Sequence, residues 1–491
     1  MENTNHFLEQ FFSPNSVAIV GATGNPLKMN FRLLENLVAL KYGGKIYPVN
    51  PHTKEILGLK AFERLQDIPD KVDLVVSAVP AKKTMDIIRQ SNDIGVKHLV
   101  IISGGFSEGD DAGKQLHLDM ADFTKVNNIR ILGPNTLSPV NTVNNFAISF
   151  NPIIKLNRGG LSFAFQSGFY DPMINWLFSH LGINKMLDMG NKLDINEVDA
   201  LEYFARDSQT RVIAMHIESL KGDGRRFYSL LKSVSRIKPV IILKTGRTPS
   251  GSKAAASHTG SLAGENDVIF DGMLRQAGAV RARNLEEFFD FAKAFQFLEA
   301  PRGNRMAIIT LSGGEGVMAT DAGDIHGLKL ARLSDHTYGK LKKIFPPWEI
   351  PPNPFDAGIC MEFHLADMMT FFETLMAIPA DENVDCAIMQ MVPWTFNTDS
   401  KNTDSSEEIA ESMQKLYVQW LQGIKKSGKP FVLWWSASGL PDFEIIKRIE
   451  THRIPVFPSS ERAIKALATM NQSRSRSSFQ NAAVGKTAAG T

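Results

Sequence analysis

The chain has 491 residues and a formal net charge of +2, so no broad basic surface points to nucleic acid. Hydrophobic residues make up 43% and charged residues 22%, an ordinary globular balance, and no run approaches the ~20 apolar residues of a membrane span. Two cysteines, Cys360 and Cys386, are too few for a disulfide framework or a metal-ligand cluster and fit a reducing, cytoplasmic setting.

At about 150 residues per domain the length predicts three domains. Met1 to Gln10 carries acids and no long apolar run, so a signal peptide is not expected. Ser16-Val17-Ala18-Ile19-Val20 predicts a buried strand that ends in the turn Gly21-Ala22-Thr23-Gly24-Asn25-Pro26, with a helix from about Asn30 to Leu40. Strand, glycine turn and helix open a nucleotide-binding βαβ unit, although the GxxG spacing is a poor match to the dinucleotide GxGxxG. Further strands are predicted at 45–50, 73–79, 98–103 and 129–132, each apolar throughout as buried parallel strands are. Their ends carry Asn50, Ser103 with Gly104, and Asn135. Any one of these is ordinary turn chemistry; together, at the C-terminal edge of a doubly wound sheet, they predict a ligand site.

A second α/β unit starts near Gly159. Its strand Leu161–Phe165 runs into Gln166-Ser167-Gly168, with a helix expected from near Phe169. A Ser-Gly at a helix N-terminus offers free N–H groups to an anion, and is equally the pattern of a plain N-cap. The strand 211–217 ends at Glu218, and 238–244 leads to the stretch Lys253-Ala254-Ala255-Ala256-Ser257-His258-Thr259-Gly260-Ser261-Leu262-Ala263-Gly264. This stretch reads as a loop of small residues that lets the backbone approach a ligand, with one imidazole able to attack phosphorus when neutral. Glu218, at a strand end on the same expected face, is suited to hold one ring nitrogen of His258. His216, inside the strand, reads as a packing or hydrogen-bonded residue.

The third unit begins after Ala300-Pro301-Arg302-Gly303, with strands at 305–310, 386–390 and 430–435 and helices after Ser312-Gly313-Gly314 and over 407–421. Beyond about Asn471 the sequence loses apolar periodicity and predicts a disordered tail, 471–491.

These residues resemble the α subunit of the nucleoside-diphosphate-forming acyl-CoA synthetases, relatives of succinyl-CoA synthetase. The resemblance rests on Gly21–Pro26, Tyr47-Pro48-Val49-Asn50-Pro51, Ile131–Asn135, Gln166-Ser167-Gly168, Gly190-Asn191-Lys192, Glu218 with Gly222–Phe227, Lys244-Thr245-Gly246-Arg247, and Ala255–Gly260. It implies an α/β fold: a Rossmann-like CoA-binding domain at 1–145, then two flavodoxin-like domains at 155–298, carrying the phosphohistidine, and 303–470. It implies a reaction in which acyl-CoA, phosphate and ADP interconvert with acid, CoA and ATP through an acyl phosphate and a phosphohistidine. On this pattern His258 carries the phosphoryl group and Glu218 orients it. Ser167, Gly168, Thr259 and Gly260 hold the phosphate. Gly21, Thr23, Gly24, Asn25, Pro26, Asn50, Pro51, Ser103, Gly104 and Asn135 bind CoA. No metal site is implied on this chain. The three α/β units leave no stretch for an ATP-grasp domain, which implies a hetero-oligomer whose ATP-grasp β subunit binds ADP or ATP with Mg2+.

The sequence departs from the family pattern at Asn30, Thr136, Ser138, Phe165, Phe169-Tyr170-Asp171-Pro172 and Leu311–Gly316, positions that flank the acyl and phosphate sites. Two competing readings are a CoA-binding regulatory protein that kept the fold and lost turnover, and a nicotinamide dehydrogenase. The intact His258 and Glu218 count against the first, and the GxxG spacing and third unit against the second.

Overall fold

The computed structural model describes residues 6–259, 266–391, 404–435 and 443–488. The chain divides into two compact units, Met1–Phe288 and Phe289–Thr491. The first unit holds two sheets. In one, β1 (Ser16–Val20), β2 (Lys45–Val49), β3 (Leu74–Ser77), β4 (His98–Ile101) and β5 (Arg130–Leu132) run parallel in the order β2-β1-β3-β4-β5. All of β1 is buried, as a strand covered by helices on both faces must be. Val17 to Val20 pair with Ile46 to Val49 on one side and with Leu74 to Ser77 on the other.

The second sheet repeats this order. Strands β6 (Arg158–Phe165), β7 (Ile183–Asp188), β8 (Val212–Ile217), β9 (Val240–Lys244) and β10 (Val280–Ala282) lie as β7-β6-β8-β9-β10. A short antiparallel hairpin, Val140–Asn141 with Phe146–Ala147, extends the β7 edge. One apolar core runs continuously beneath both sheets, from Leu34 and Leu37 through Phe146 to Leu187, Phe204 and Leu231. The described residues thus hold three large sheets, two of them in the first unit over a shared core.

The second unit carries β11 (Arg305–Thr310), β12 (Lys329–Leu330), β13 (Cys386–Gln390), β14 (Phe431–Trp434) and β15 (Val456–Phe457) in the order β12-β11-β13-β14-β15. Phe355–Asp356 pairs beside the end of β11. Within this unit a buried Lys293 bonds the Glu450 carboxylate at 2.8 Å and the Val456 carbonyl at 2.6 Å.

The structure corrects the sequence reading in four places. Strand β7, INKMLD, is not predicted because Asn184 and Lys185 interrupt the apolar run; both side chains are buried and bonded to Asp207, at 2.7 and 2.8 Å. The expected loop around His258 is instead the helix Pro249–Thr259 as far as it is described. Alanine is the best helix former, and proline suits the first helical position. The helix expected from Phe169 opens as a 3-10 turn, Gly168–Met173, and becomes α-helical only at Ile174, since Pro172 has no N–H to donate. The tail expected to be disordered from 471 is helical to Ala488, as a continuation of the helix that starts at Ser460. Its first turns are tied down: Gln472 donates to the His326 carbonyl and Arg474 to that of Ala300.

Candidate functional site

In a 2-1-3-4-5 sheet the connections leave the first strand's neighbours toward opposite faces, which opens a crevice beyond the carboxyl ends of the first and third strands. In the first sheet this crevice lies at Gly21. The residue has φ +83°, and a Cβ there would sit 3.1 Å from the Ala78 carbonyl oxygen, so only glycine lets the two strand ends approach. Asn30 donates to the Gly21 carbonyl at 2.6 Å, and Asn50 to the Ala22 carbonyl at 2.7 Å. Asn50 therefore braces the turn. The Thr23 hydroxyl accepts from Asn25 N, and Asn25 Oδ1 from Leu27 N, which shapes an exposed Gly24-Asn25-Pro26 ledge with Pro51 also exposed.

A second group of predicted residues gathers farther along the same edge. Asn135, at φ +62°, donates its N–H to the Ser103 carbonyl at 2.9 Å, and a Cβ on Gly104 would lie 3.3 Å from Asn135 Oδ1. The Ser103 hydroxyl is buried with no hydrogen-bond partner among the described residues. Sequence reasoning missed Glu108. Its carboxylate accepts from Gly105 N at 2.7 Å, Phe106 N at 3.2 Å and the Asn191 amide, and so ties this edge to the second sheet.

The second sheet's crevice brings together Gln166-Ser167-Gly168, after β6, and Glu218, after β8. Gln166 Oε1 accepts from Glu218 N at 2.8 Å and Ser219 N at 3.2 Å, so one side chain couples the two strand ends. Ser167 is extended, with no side-chain cap, and Gly168 starts the 3-10 turn with a half-buried face. Glu218 is nearly buried. Beneath Gly168 lies Asp188, fully buried, which accepts from Leu137 N and Gly190 N, both at 3.0 Å. Burial pushes its carboxyl up to about 7 despite those bonds, and the charges of Asp171 and Glu218 push the same way.

His216 is where the sequence reading put it. It is buried, its Nε2 pairs with Thr245 Oγ1 at 3.0 Å, and Phe169 meets it edge-on with ring centroids 5.0 Å apart. Burial drives it down to about 3, so it stays neutral.

The turn from β9 into the helix Pro249–Thr259 passes over Glu218. At Gly246, φ +66°, an added Cβ would lie 3.6 Å from the Glu218 carbonyl oxygen and 3.5 Å from Ala255 Cβ. His258 is one helical turn, about 5 Å, beyond Ala255. The side chains of His258 and Thr259, and the whole of Gly260, lie outside the described residues. Lys192 and Lys244, buried beside Glu218, had no assigned role in the sequence reading, although Gly190-Asn191-Lys192 and Lys244-Thr245-Gly246-Arg247 were among its motifs.

Comparison with known proteins bears on both crevices. Residues 15–141 match the model of a CoA binding domain, and 158–295 that of a succinyl-CoA ligase like flavodoxin domain. The alpha subunit of acetate–CoA ligase (ADP-forming) I from Pyrococcus furiosus is 36% identical over 476 residues, covering 94% of this chain and 97% of that one. The alpha subunit of ligase II from the same organism is 34% identical, covering 95% and 98%. Among solved structures, the dinucleotide forming acetyl-coenzyme A synthetase 1 of Ca. Korarchaeum cryptofilum, in complex with phosphate and ADP, superposes with a TM-score of 0.80 at 30% identity, covering 96% of this chain and 98% of its own.

Proposed function

The chain belongs to the family of ADP-forming acetate–CoA ligase α subunits, and on that premise we propose how its residues divide the reaction. It is a subunit of an ADP-forming acyl-CoA synthetase, an acid–thiol ligase that interconverts acyl-CoA, ADP and phosphate with acid, CoA and ATP. The observation that carries the residue assignment is the meeting of Gln166-Ser167-Gly168 with Glu218 at one crevice, beneath the turn that leads to the His258 helix.

CoA lies along the first sheet's edge. The Gly21 turn admits its backbone-hugging phosphates, with Thr23, Gly24, Asn25, Pro26, Asn50 and Pro51 on one side and Ser103, Gly104 and Asn135 on the other. Phosphate sits on the N–H groups of Ser167 and Gly168. A phosphate oxygen attacks the thioester carbonyl, the C–S bond breaks, and the CoA thiolate leaves an acyl phosphate. The neutral imidazole of His258 then attacks phosphorus, the P–O bond to the acyl group breaks, and the carboxylate departs. Glu218 holds the opposite ring N–H and offsets the positive charge that develops on the ring. Thr259 and Gly260 steady the transferred group. Positioning and electrostatic stabilisation supply the catalysis.

The α-subunit relatives imply a β partner, and we propose that this partner is an ATP-grasp subunit that holds ADP with Mg2+ and takes the phosphoryl group from His258. We assign the protein to the cytoplasm; among the described residues no helix is long and apolar enough to cross a membrane. The test is direct. The purified chain given acyl-CoA, ADP and phosphate makes no ATP, and adding the β subunit restores ATP synthesis. ATP made by the chain alone would overturn this division of labour.

A further inference from the structure

Lys192 and Lys244 are 2% and 3% exposed. Burying an ammonium group is costly unless it is paired and hydrogen-bonded, so two such groups beside one segment call for a reason. Both point at the main chain that carries Glu218. Lys244 Nζ donates to the Glu218 carbonyl at 2.7 Å and to that of Thr245 at 2.7 Å. Lys192 Nζ donates to the next carbonyl, that of Ser219, at 2.6 Å, to Gln166 Oε1 at 3.1 Å and to Glu197 Oε2 at 3.1 Å. The amides of the same dipeptide donate to Gln166 Oε1. Glu197 Oε1 then accepts from Lys221 N at 2.8 Å and Gly222 N at 2.7 Å. Lys192 adopts φ +52°, a conformation uncommon for a residue with a side chain and concentrated at functional sites.

We infer that Lys192 and Lys244 form a two-ammonium clamp that fixes the Glu218–Ser219 main chain against the Gln166-Ser167-Gly168 turn, and so positions Glu218 for phosphoryl transfer at this crevice. The inference rests on the reading of His258 and Glu218 given above. Both carbonyls of the dipeptide are bound by a cation and both amides by one glutamine oxygen, so the backbone bearing the orienting carboxylate is held on either side. Lys192 and Lys244 are positioning residues: they act through Glu218.

The clamp lies at the Gln166 and Glu218 strand ends of this chain, so its loss is expected to fall on transfer at this crevice, which gives a test in the assembled complex. Labelled ATP loads the phosphohistidine through the β subunit. Acid plus CoA then discharges it: a carboxylate oxygen attacks phosphorus, the N–P bond breaks, and the imidazole regains its lone pair. Lys192→Met and Lys244→Met are expected to load at near the wild-type rate, to bind CoA unchanged, and to discharge about 100-fold more slowly, the scale of a small misplacement. The arginine variants recover part of the discharge rate. Discharge at the wild-type rate in both methionine variants would overturn the clamp, as would a parallel fall in loading and discharge together with a lowered Tm. If a methionine variant does not fold, the glutamine variant at the same position, which keeps a shorter amide donor and removes the charge, decides in its place with the same readout. Labelling that survives His258→Asn would sink the underlying reading instead, whatever the clamp variants do.

Discussion

Asp188 shows how a single buried group links the second sheet's crevice to stability. Its ordinary value is 3.8, and burial raises it to about 7 in the folded chain. Between those values the native state holds a proton that the unfolded chain has released. The contribution is therefore fully present below about pH 4 and is lost as pH rises through about 7. Asp188→Asn cannot titrate, and it also loses one of the two acceptors that Leu137 N and Gly190 N use. The variant should be less stable than wild type at every pH, with a larger gap at pH 5 than at pH 8 in urea denaturation. A gap that widens toward pH 8 would mean that Asp188 is ionised and held by its hydrogen bonds. His216 behaves oppositely: burial drives it down to about 3, so it stays neutral across the same range beside Thr245.

At the scale of elements, the strand–turn–helix β9, Gly246 and Pro249–Thr259 sets the path of the His258 helix over Glu218. A methyl at Gly246 meets only ordinary contacts, 3.5 and 3.6 Å, yet its φ of +66° costs an alanine about 1 kcal/mol. Gly246→Ala should lower Tm slightly, slow His258 labelling by about tenfold or more if the turn relaxes by a fraction of an ångström, and leave CoA affinity unchanged. Unaltered labelling kinetics, measured beside Tm and a CoA titration, would show that the turn does not set the histidine's approach. The strands that are mostly apolar, such as β1, β4 and β13, were legible because parallel strands buried on both faces leave that pattern. Strand β7 was not, because the partner of Asn184 and Lys185 is Asp207, on a distant stretch of chain. The helix around His258 was missed for the opposite reason: small residues were read as a ligand loop, when alanine favours a helix wherever nothing opposes it. Glu218 and the Gln166-Ser167-Gly168 turn were legible as strand ends. The lysines beside them were not, since a lysine at a strand end or in a glycine turn reads as a surface residue until its carbonyl partners are known.

At the scale of the molecule, one strand order is used three times, and in the first unit it sets two crevices along carboxyl edges that share a core. These sheets and one small hairpin, Glu55–Ile56 with Leu59–Lys60, account for the strands of the described residues. In the proposed division of the reaction the first crevice holds CoA, and the second holds the phosphate and the histidine's orienting carboxylate. The reaction must then pass a phosphoryl group on to a nucleotide held by another subunit, and a covalent carrier on a small-residue segment meets that need. The carrier is therefore the claim on which the rest depends. The decisive measurement is incorporation of label from acyl-CoA and labelled phosphate into wild type, Glu218→Gln and His258→Asn, read as acid-labile, base-stable phosphate with CoA binding followed in parallel. The account predicts full labelling in wild type, reduced labelling in Glu218→Gln, none in His258→Asn, and CoA affinity nearly unchanged in all three. Label taken up by His258→Asn at the wild-type rate would contradict it.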